Sequence, residues 1–364
     1  MSAAELGVIV VTYNSGREVL DCLESLLSAS RAVGVPLRIV VVDNASSDET
    51  VTGIFDWAQG QSDYLPPDSL PFSITAVPKP LSVIEAMPDV AQSREGHVHL
   101  VKSTTNIGFA GGVNLGLKYL AGFSDIRHFW VLNPDSVVPP ASLQALHDEL
   151  GDNPSYGLMG GRVCYMDTPD RIQIDGGTVN FHTGVTGNLN LGRAASETPV
   201  PDAAELDFIM GASMVASRDF YERVGPMCED YFLYYEEVDW AMRRGDLPLR
   251  YCDGLVVYHH AGSSIGSPGW GRSASPFSLY FKHRGRIRFL RRFRPASLVI
   301  GFAYSLAYAA RLFLRDRSLS EAWAVLAGSF GLRPPRQIRD RLTWPVWKRR
   351  DQAGRRDTSG SQGE

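Results

Sequence analysis

The chain has 364 residues, a formal net charge of −4, 44% apolar residues and four cysteines. That length and apolar content bury a large core, enough for one α/β domain with an appendage. Cys22, Cys164, Cys228 and Cys252 have no metal-like spacing and no reason to pair, which fits reduced thiols in a cytoplasmic protein. The first element is a β-branched run, Val8 to Thr12, broken by Asn14-Ser15-Gly16. No basic segment precedes it, so it reads as a strand and not as a leader. Val19, Leu20, Leu23, Leu26 and Leu27 then share one helical face. Leu37 to Val42 is a second strand, ending at Asp43-Asn44-Ala45-Ser46-Ser47-Asp48. Strand, helix and strand of these lengths make a right-handed parallel unit, so Thr12 and Asp43 face one crevice. Ser46 or Ser47 caps the next helix on the plainest reading. On the sharper one, Asp43 accepts a hydrogen bond from a nucleobase or ribose.

Residues 60–96 are rich in Pro, Ser and Gln and lack periodicity, which predicts a partly disordered surface insertion. Val98 to Val101 is the next strand, followed by Asn106-Ile107-Gly108-Phe109-Ala110-Gly111-Gly112-Val113-Asn114 and a helical pattern. Gly108, Gly111 and Gly112 allow close backbone approach and expose N–H groups at a helix start, which suits a diphosphate. They equally suit an ordinary strand-to-helix turn. Phe129 to Leu132 is apolar on both faces, and Asn133-Pro134 stops it. Asp135 then lies on the carboxyl edge of a central strand, where open α/β sheets bind ligands.

Further on, Asp207 to Val215 is apolar with small residues at its centre. Glu236, Glu237 and Asp239 open a helix that buries Val238 and Met242. Acids in a first turn complement the dipole, and Asp239 can pair with Arg243. Three acids so close repel one another, so one is expected to carry a raised pKa, as a general base requires. Leu255 to Tyr258 reads as a strand that delivers His259 and His260, and only one of them can face the same side.

Four of these segments occur in a telling order: Val11-Thr12-Tyr13-Asn14, Val42-Asp43-Asn44-Ala45-Ser46, Asn106 to Asn114, and Leu132-Asn133-Pro134-Asp135. Together they resemble the family 2 inverting glycosyltransferases of the GT-A fold, and within them the rhamnosyltransferase-like branch. The resemblance implies an α/β fold, a Rossmann-like mostly parallel sheet flanked by helices. It implies that Thr12, Tyr13, Asn14, Asp43, Asn106, Gly108, Gly111, Gly112, Asn133 and Asp135 bind a nucleotide-sugar donor. Glu237 would be the catalytic base, standing where the family usually has an Asp. His259, Gly262 and Ser264 fit the pattern His-x-x-Gly-x-Ser, and His259 would join Asp135 on a divalent cation, Mg²⁺ or Mn²⁺. Gly211, Ala212 and Glu236 would lie on the acceptor side.

The implied reaction is inverting transfer of a sugar, rhamnose from dTDP-rhamnose as first choice, to a hydroxyl of a lipid-linked or cell-envelope glycan. UDP-galactofuranose is the alternative donor. A peripheral membrane scaffold that kept the fold and lost the chemistry is the alternative of another class. A sugar-nucleotide pyrophosphorylase would need a longer, more basic loop after the first strand.

The C-terminal part differs in charge. Seven of the thirteen residues from Lys282 to Arg294 are Lys or Arg, and Arg333, Arg336, Arg339, Arg341, Lys348, Arg349 and Arg350 continue the bias. Between them runs apolar Ser297 to Ala310, short for a bilayer span. These features predict a GT-A domain over 1–281, a basic, amphipathic helical extension over 282–350 and a flexible tail over 351–364. The extension would lie on an anionic membrane surface, placing the protein in the cytoplasm, peripherally bound to the inner face of the cell membrane. The alternative is a helical hairpin packed on the domain. No recognised nucleic-acid module accompanies the basic residues, so nucleic acid is not an expected partner.

Overall fold

A computed structural model describes residues 5–16, 18–89, 96–151, 155–260 and 274–339. The strands are β1 (Leu6–Thr12), β2 (Leu37–Asp43), β3 (Val83–Ala86), β4 (Val98–Lys102), β5 (His128–Leu132), β6 (Ser136–Val137), β7 (Leu158–Tyr165), β8 (Ile172–Ile174), β9 (Gly177–Val179), β10 (Thr186–Asn188), β11 (Ser213–Ser217) and β12 (Leu249–His259). The helices are α1 (Glu18–Val33), α2 (Thr50–Gln59), α3 (Gly108–Ala121), α4 (Pro140–Gly151), α5 (Arg218–Val224), α6 (Glu236–Met242), α7 (Pro276–Phe293), α8 (Leu298–Leu314), α9 (Leu319–Ser329) and α10 (Arg336–Arg339).

One sheet organises the molecule, in the order β3-β4-β2-β1-β5-β11-β7-β12-β6, with β8 beside β7. Strands β3, β4, β2, β1 and β5 are mutually parallel; β11 runs antiparallel between β5 and β7, and β7 and β12 are parallel again. The sheet is thus mostly parallel, as expected. β1 is buried along its whole length, so its side chains feed two cores. Ile9 and Val11 pack with Leu117 of α3 on one face, while Val8 and Val10 pack with Leu23 of α1 and Leu143 of α4 on the other. Helices on both faces are what a parallel sheet requires.

The registers bring chosen residues to one edge. Thr12 lies opposite Asp43 at the carboxyl ends of β1 and β2, and Val10 opposite Leu132 of β5. Antiparallel β11 begins where β5 ends, Ser213 opposite Leu132. β12 arrives with His259 opposite Ser136. Asp43, Asp135, His259 and the Gly211–Ala212 segment therefore converge without any being near another in sequence.

Three sequence expectations are corrected. Neither Ser46 nor Ser47 caps α2; the Thr50 N–H donates to Asp48 Oδ1 at 3.0 Å instead. Residues 60–89 contribute one short strand, β3, to the sheet and bury several apolar side chains. β3 pairs with β4, and Ile74, Val77 and Leu81 are buried. The cause is Glu24, a buried carboxylate on α1 that needs partners. It accepts from the Trp57 indole at 2.8 Å and the Val77 N–H at 3.0 Å, and it pairs with Lys79. Residues 90–95 lie outside the described residues.

The boundary expected between 281 and 282 cuts through α7, a single helix. Ser275 caps it by accepting the Ser278 N–H at 3.2 Å, and Pro276 suits its first turn. Several of its basic side chains face protein. Arg286 is buried and donates to the Gly301 carbonyl at 2.9 Å, to the Thr183 carbonyl and to the Ser305 hydroxyl. Arg288 pairs with Asp230 at 2.7 Å, and Arg292 with the fully buried Asp239 at 2.8 Å. α8 and α9 then fold back on α7; a Cβ on Gly328 would stand 2.2 Å from the Tyr280 carbonyl oxygen. α7, α8 and α9 thus pack on one another and on the domain. Arg341, Lys348, Arg349, Arg350 and the tail lie outside the described residues.

Because α7 belongs to both parts, a chain truncated after Phe281 should lose the cooperative urea-unfolding transition of the full chain. A transition of unchanged midpoint and slope would contradict the shared helix.

Candidate active site

The crevice begins where β1 and β2 end. The Thr12 hydroxyl donates to Asp43 Oδ1 at 3.2 Å, and the Ser46 N–H donates to Asp43 Oδ2 at 3.2 Å. Asp43 is buried, so it orders this turn with one lone pair on each oxygen and keeps the others. Asn14, exposed and at φ 53°, accepts from the Ser47 N–H at 2.8 Å. Tyr13 beside it is half-buried. The turns after β1 and β2 are thus tied together with their tips open to solvent.

The glycine segment behaves differently from the expected phosphate cradle. Asn106 accepts from the Gly108 N–H at 2.9 Å and from Asn44 Nδ2 at 3.1 Å, so its side chain holds the turn. Gly108 has φ +81°, and a Cβ there would meet the Phe232 carbonyl oxygen at 2.4 Å. The Phe109 N–H donates to that same carbonyl at 2.8 Å. Gly111 abuts Ile107, and Gly112 abuts Val11 of β1. Gly112 lets α3 lie close on β1, and Gly111 makes room for the Ile107 side chain at the helix start. Asn44 was not singled out from sequence. It joins both halves of the crevice, donating to the Gly108 carbonyl at 3.0 Å and accepting from the Ile107 N–H at 3.0 Å.

The second cluster lies beyond β5. Asp135 Oδ1 is 3.1 Å from His259 Nε2, and both side chains are nearly buried. His259 Nδ1 meets Gln173 Oε1 at 2.8 Å, and Asn133 Nδ2 meets His259 Nε2 at 3.1 Å. The Gln173 oxygen favours a proton on Nδ1, which leaves Nε2 facing Asp135 and Asn133. An imidazole lone pair converging with a carboxylate is a donor set that fits a divalent cation. The Gln173 contact is the second partner that orients such a histidine. Among the described residues no third His, Cys, Asp or Glu completes a cluster with them. Gln173 sits on β8, far from both in sequence, and carried no signal. The His260 ring pairs with Asp167 at 3.3 Å, while its backbone N–H donates to the Asp135 carbonyl at 2.9 Å. Gly262 and Ser264 lie outside the described residues.

The third element is the segment leading into α6. Phe232, Tyr234 and Tyr235 have φ of 67°, 64° and 72°. Aromatic residues in this left-handed region are true outliers, each costing roughly 1–2 kcal/mol. Neighbours enforce the shape. Phe232 stacks on Phe281 of α7 at 5.0 Å between ring centroids, and the Tyr234 hydroxyl lies 2.8 Å from that of Ser278. The Tyr235 hydroxyl donates to the Gly184 carbonyl at 2.7 Å. A Cβ on Gly285 of α7 would sit 2.9 Å from the Tyr234 carbonyl, so the helix presses directly on the segment.

This segment delivers Glu236 and Glu237. Burial, then the charge of its neighbour, pushes the Glu236 carboxyl well above the usual range. Glu236 is buried, so it stands behind Glu237 rather than on the acceptor surface where sequence placed it. Burial raises Glu237 to about 7, while backbone N–H groups and the Lys282 ammonium pull the other way. Glu237 keeps partial exposure. Lys282 comes from α7, and its own pKa is lowered by burial. Asp239 takes no part: it is held by Arg243 and Arg292 at 2.8 Å each and by the Tyr231 hydroxyl at 3.1 Å.

A path of contacts joins the clusters. The Asn133 N–H donates to the Ala212 carbonyl at 3.1 Å, and Gly211 abuts the Phe109 ring. Phe109 in turn holds Phe232, at the head of the segment that carries Glu237.

Residues 7–66 match the family model described as Glycosyl transferase family 2. That match spans β1, α1, β2 and α2, where Thr12 and Asp43 lie. It is 22% identical over 263 residues to the low-salt glycan biosynthesis hexosyltransferase Agl10 of Haloferax volcanii, covering 70% of this chain and 67% of that one. It is 24% identical over 278 residues to the N-acetylglucosaminyl-diphospho-decaprenol L-rhamnosyltransferase of Mycobacterium tuberculosis, covering 72% and 78%. Its fold is similar to that of GalNAc-T7, solved with UDP, GalNAc and Mn²⁺, with a TM-score of 0.51 and 11% identity over 79% of this chain and 47% of that one. The fold of the chain is GT-A, as the motifs implied.

If Glu237 must be ionised to act, activity rises with pH as its carboxyl loses its proton and levels off above about 7. Lys282→Met removes the cation that favours the carboxylate, so the inflection should move to higher pH. A pH–rate profile of kcat/KM checks both. An inflection near the ordinary glutamate value of about 4.3 would contradict the assignment.

Proposed function

We propose that this protein is an inverting glycosyltransferase, moving a hexose from a nucleotide sugar to a hydroxyl of a lipid-linked glycan. One observation carries the reading. Glu237 has a carboxyl raised to about 7, on a segment tied through Phe109 and Gly211 to the turn that bears Asp135. A base so poised is ionised enough at neutral pH to act and basic enough to take a hydroxyl proton.

The roles follow from placement. Asn14, Tyr13 and the remaining lone pairs of Asp43 hold the nucleoside at the open tips after β1 and β2. Asn133 and Asp135 hold the diphosphate end. Asp135 and His259 would bind a divalent cation, with donor oxygens completing its shell; the imidazole favours Mn²⁺ over Mg²⁺. Such an ion stabilises charge on a leaving diphosphate. Glu237 accepts the acceptor's hydroxyl proton as that oxygen forms a bond to the anomeric carbon. The bond from that carbon to the diphosphate breaks on the opposite face, and its electron pair leaves with the nucleoside diphosphate. One displacement inverts the centre, with no water and no second carboxylate pair of the glycosidase kind. Glu236, buried with its carboxyl pushed well above the usual range, supports Glu237 without touching substrate. dTDP-rhamnose is the first donor to test, since one relative is named for L-rhamnose transfer to a diphospho-decaprenol, and UDP-galactofuranose is the second.

The test is release of nucleoside diphosphate from a panel of nucleotide sugars with Mn²⁺. One donor should turn over, and Asp135→Ala or EDTA should abolish its release. Glu237→Gln should cut transfer about 10²- to 10⁴-fold with donor KM near unchanged. Full activity in EDTA would remove the metal role. Loss at Glu236→Gln with Glu237→Gln active would move the base by one residue. No release from any donor would point to a fold that has lost its chemistry.

A further inference from the structure

Among the described residues, nine of the thirteen exposed large apolar side chains fall in one place, the α8–α9 hairpin and its exit. α8 is built inside out. Its inward face is small: Gly301, Ser305 and Ala309 are buried, and Ser305 meets Ser329 of α9 at 2.7 Å between hydroxyl oxygens. Its outward face is bulky and apolar. Val299, Leu306 and Phe313 are exposed, and Ala303 and Ala310 fall between them on the same stripe. Helices that face water carry polar residues outward, so this face is made for another medium. α9 adds Trp323, half exposed beside it.

The rim supplies the sign of the partner. Between residues 291 and 336 the sequence has eight arginines and two carboxylates, in a chain whose net charge is −4. Arg291, Arg294, Arg311, Arg315 and Arg317 are exposed around the apolar face. An apolar helix face with an arginine rim and an exposed tryptophan is complementary to an anionic lipid surface.

We propose that the α8–α9 hairpin is a membrane-docking surface, lying in the plane of an anionic bilayer with its arginine rim at the head groups. The helical stretch Pro295–Leu314 has 20 residues and a mean hydropathy of 1.5, so it is long enough to cross, and the sequence-based reading of it as too short is corrected. Lying in the plane is favoured by its inward face. Gly301 and Ser305 accept from buried Arg286 of α7, and crossing would strip those bonds. A second copy is a poorer occupant, since a two-fold contact would set one arginine rim against another. The surface stands on its own observations, whether or not the donor and acceptor assignments hold.

Flotation of the full chain with vesicles tests it. The protein should float with mixed phosphatidylcholine–phosphatidylglycerol vesicles at low salt, scarcely with phosphatidylcholine alone, and lose most of that binding in high salt through screening. Leu306→Asp with Phe313→Asp changes two exposed side chains outside the site. That variant should keep its circular dichroism and donor turnover and lose flotation at least tenfold. Arg311→Glu with Arg315→Glu should lose anionic binding similarly, and it decides the matter if the first variant fails to fold. No flotation at low salt overturns the proposal, and light scattering that shows a dimer in that case gives the face to a second copy. Equal binding to neutral vesicles removes the role of the rim. Binding that survives alkaline carbonate means crossing and overturns the in-plane arrangement.

Discussion

The contact on which the rest depends is α7 against the segment from Phe232 to Tyr235. Three aromatic residues there hold left-handed backbone, which no isolated peptide would keep. Phe281 stacks on the first, Ser278 meets the hydroxyl of the second, and Gly285 leaves room for the backbone of the second and the ring of the third. The same helix brings Lys282 toward Glu237 and anchors the far side of α6 through Arg292 and Asp239. The strained turn aims two adjacent glutamates into an interior where one is buried behind the other. Without α7 the turn would relax, and water would return both carboxyls toward their ordinary values.

The sheet does the complementary work. Parallel strands end at one edge, so Thr12, Asp43 and the Asn133–Asp135 turn arrive there by register alone. Antiparallel β11 is the exception that matters. Because it starts where β5 stops, Gly211 and Ala212 lie under that turn and touch both Asn133 and Phe109. β12 brings His259 to Asp135 from more than a hundred residues away, and Gln173 on β8 favours its Nδ1-protonated form. Long-range register, not local sequence, assembles the donor side.

Much of this was legible in the sequence. β-branched runs ending in Asp or in Asn-Pro-Asp gave β1, β2 and β5 and their common edge, since period and punctuation are local signals. The resemblance implied that His259 would lie beside Asp135, and the two are 3.1 Å apart. What failed was whatever depended on partners. Gly111 and Gly112 looked like a ligand cradle but face Ile107 and Val11, and only the placed α3 reveals that. Residues 60–89 looked loose, because the buried Glu24 that pins them is invisible as a demand until α1 is docked. The arginines of α7 read as part of a basic extension beyond the domain, yet Arg286 ends among carbonyls and Arg292 on Asp239. Asn44, Gln173 and Lys282 had no distinguishing spacing.

The central claim is that burial raises the Glu237 carboxyl into the neutral range against the opposing pull of the Lys282 ammonium. The direct measurement is a carbon-13 NMR titration of glutamate side-chain carboxyls in the full chain, with the resonance assigned by its loss in Glu237→Gln. The account predicts a midpoint near 7 for Glu237 and a higher midpoint in Lys282→Met. A midpoint at the ordinary value of about 4.3 would contradict it.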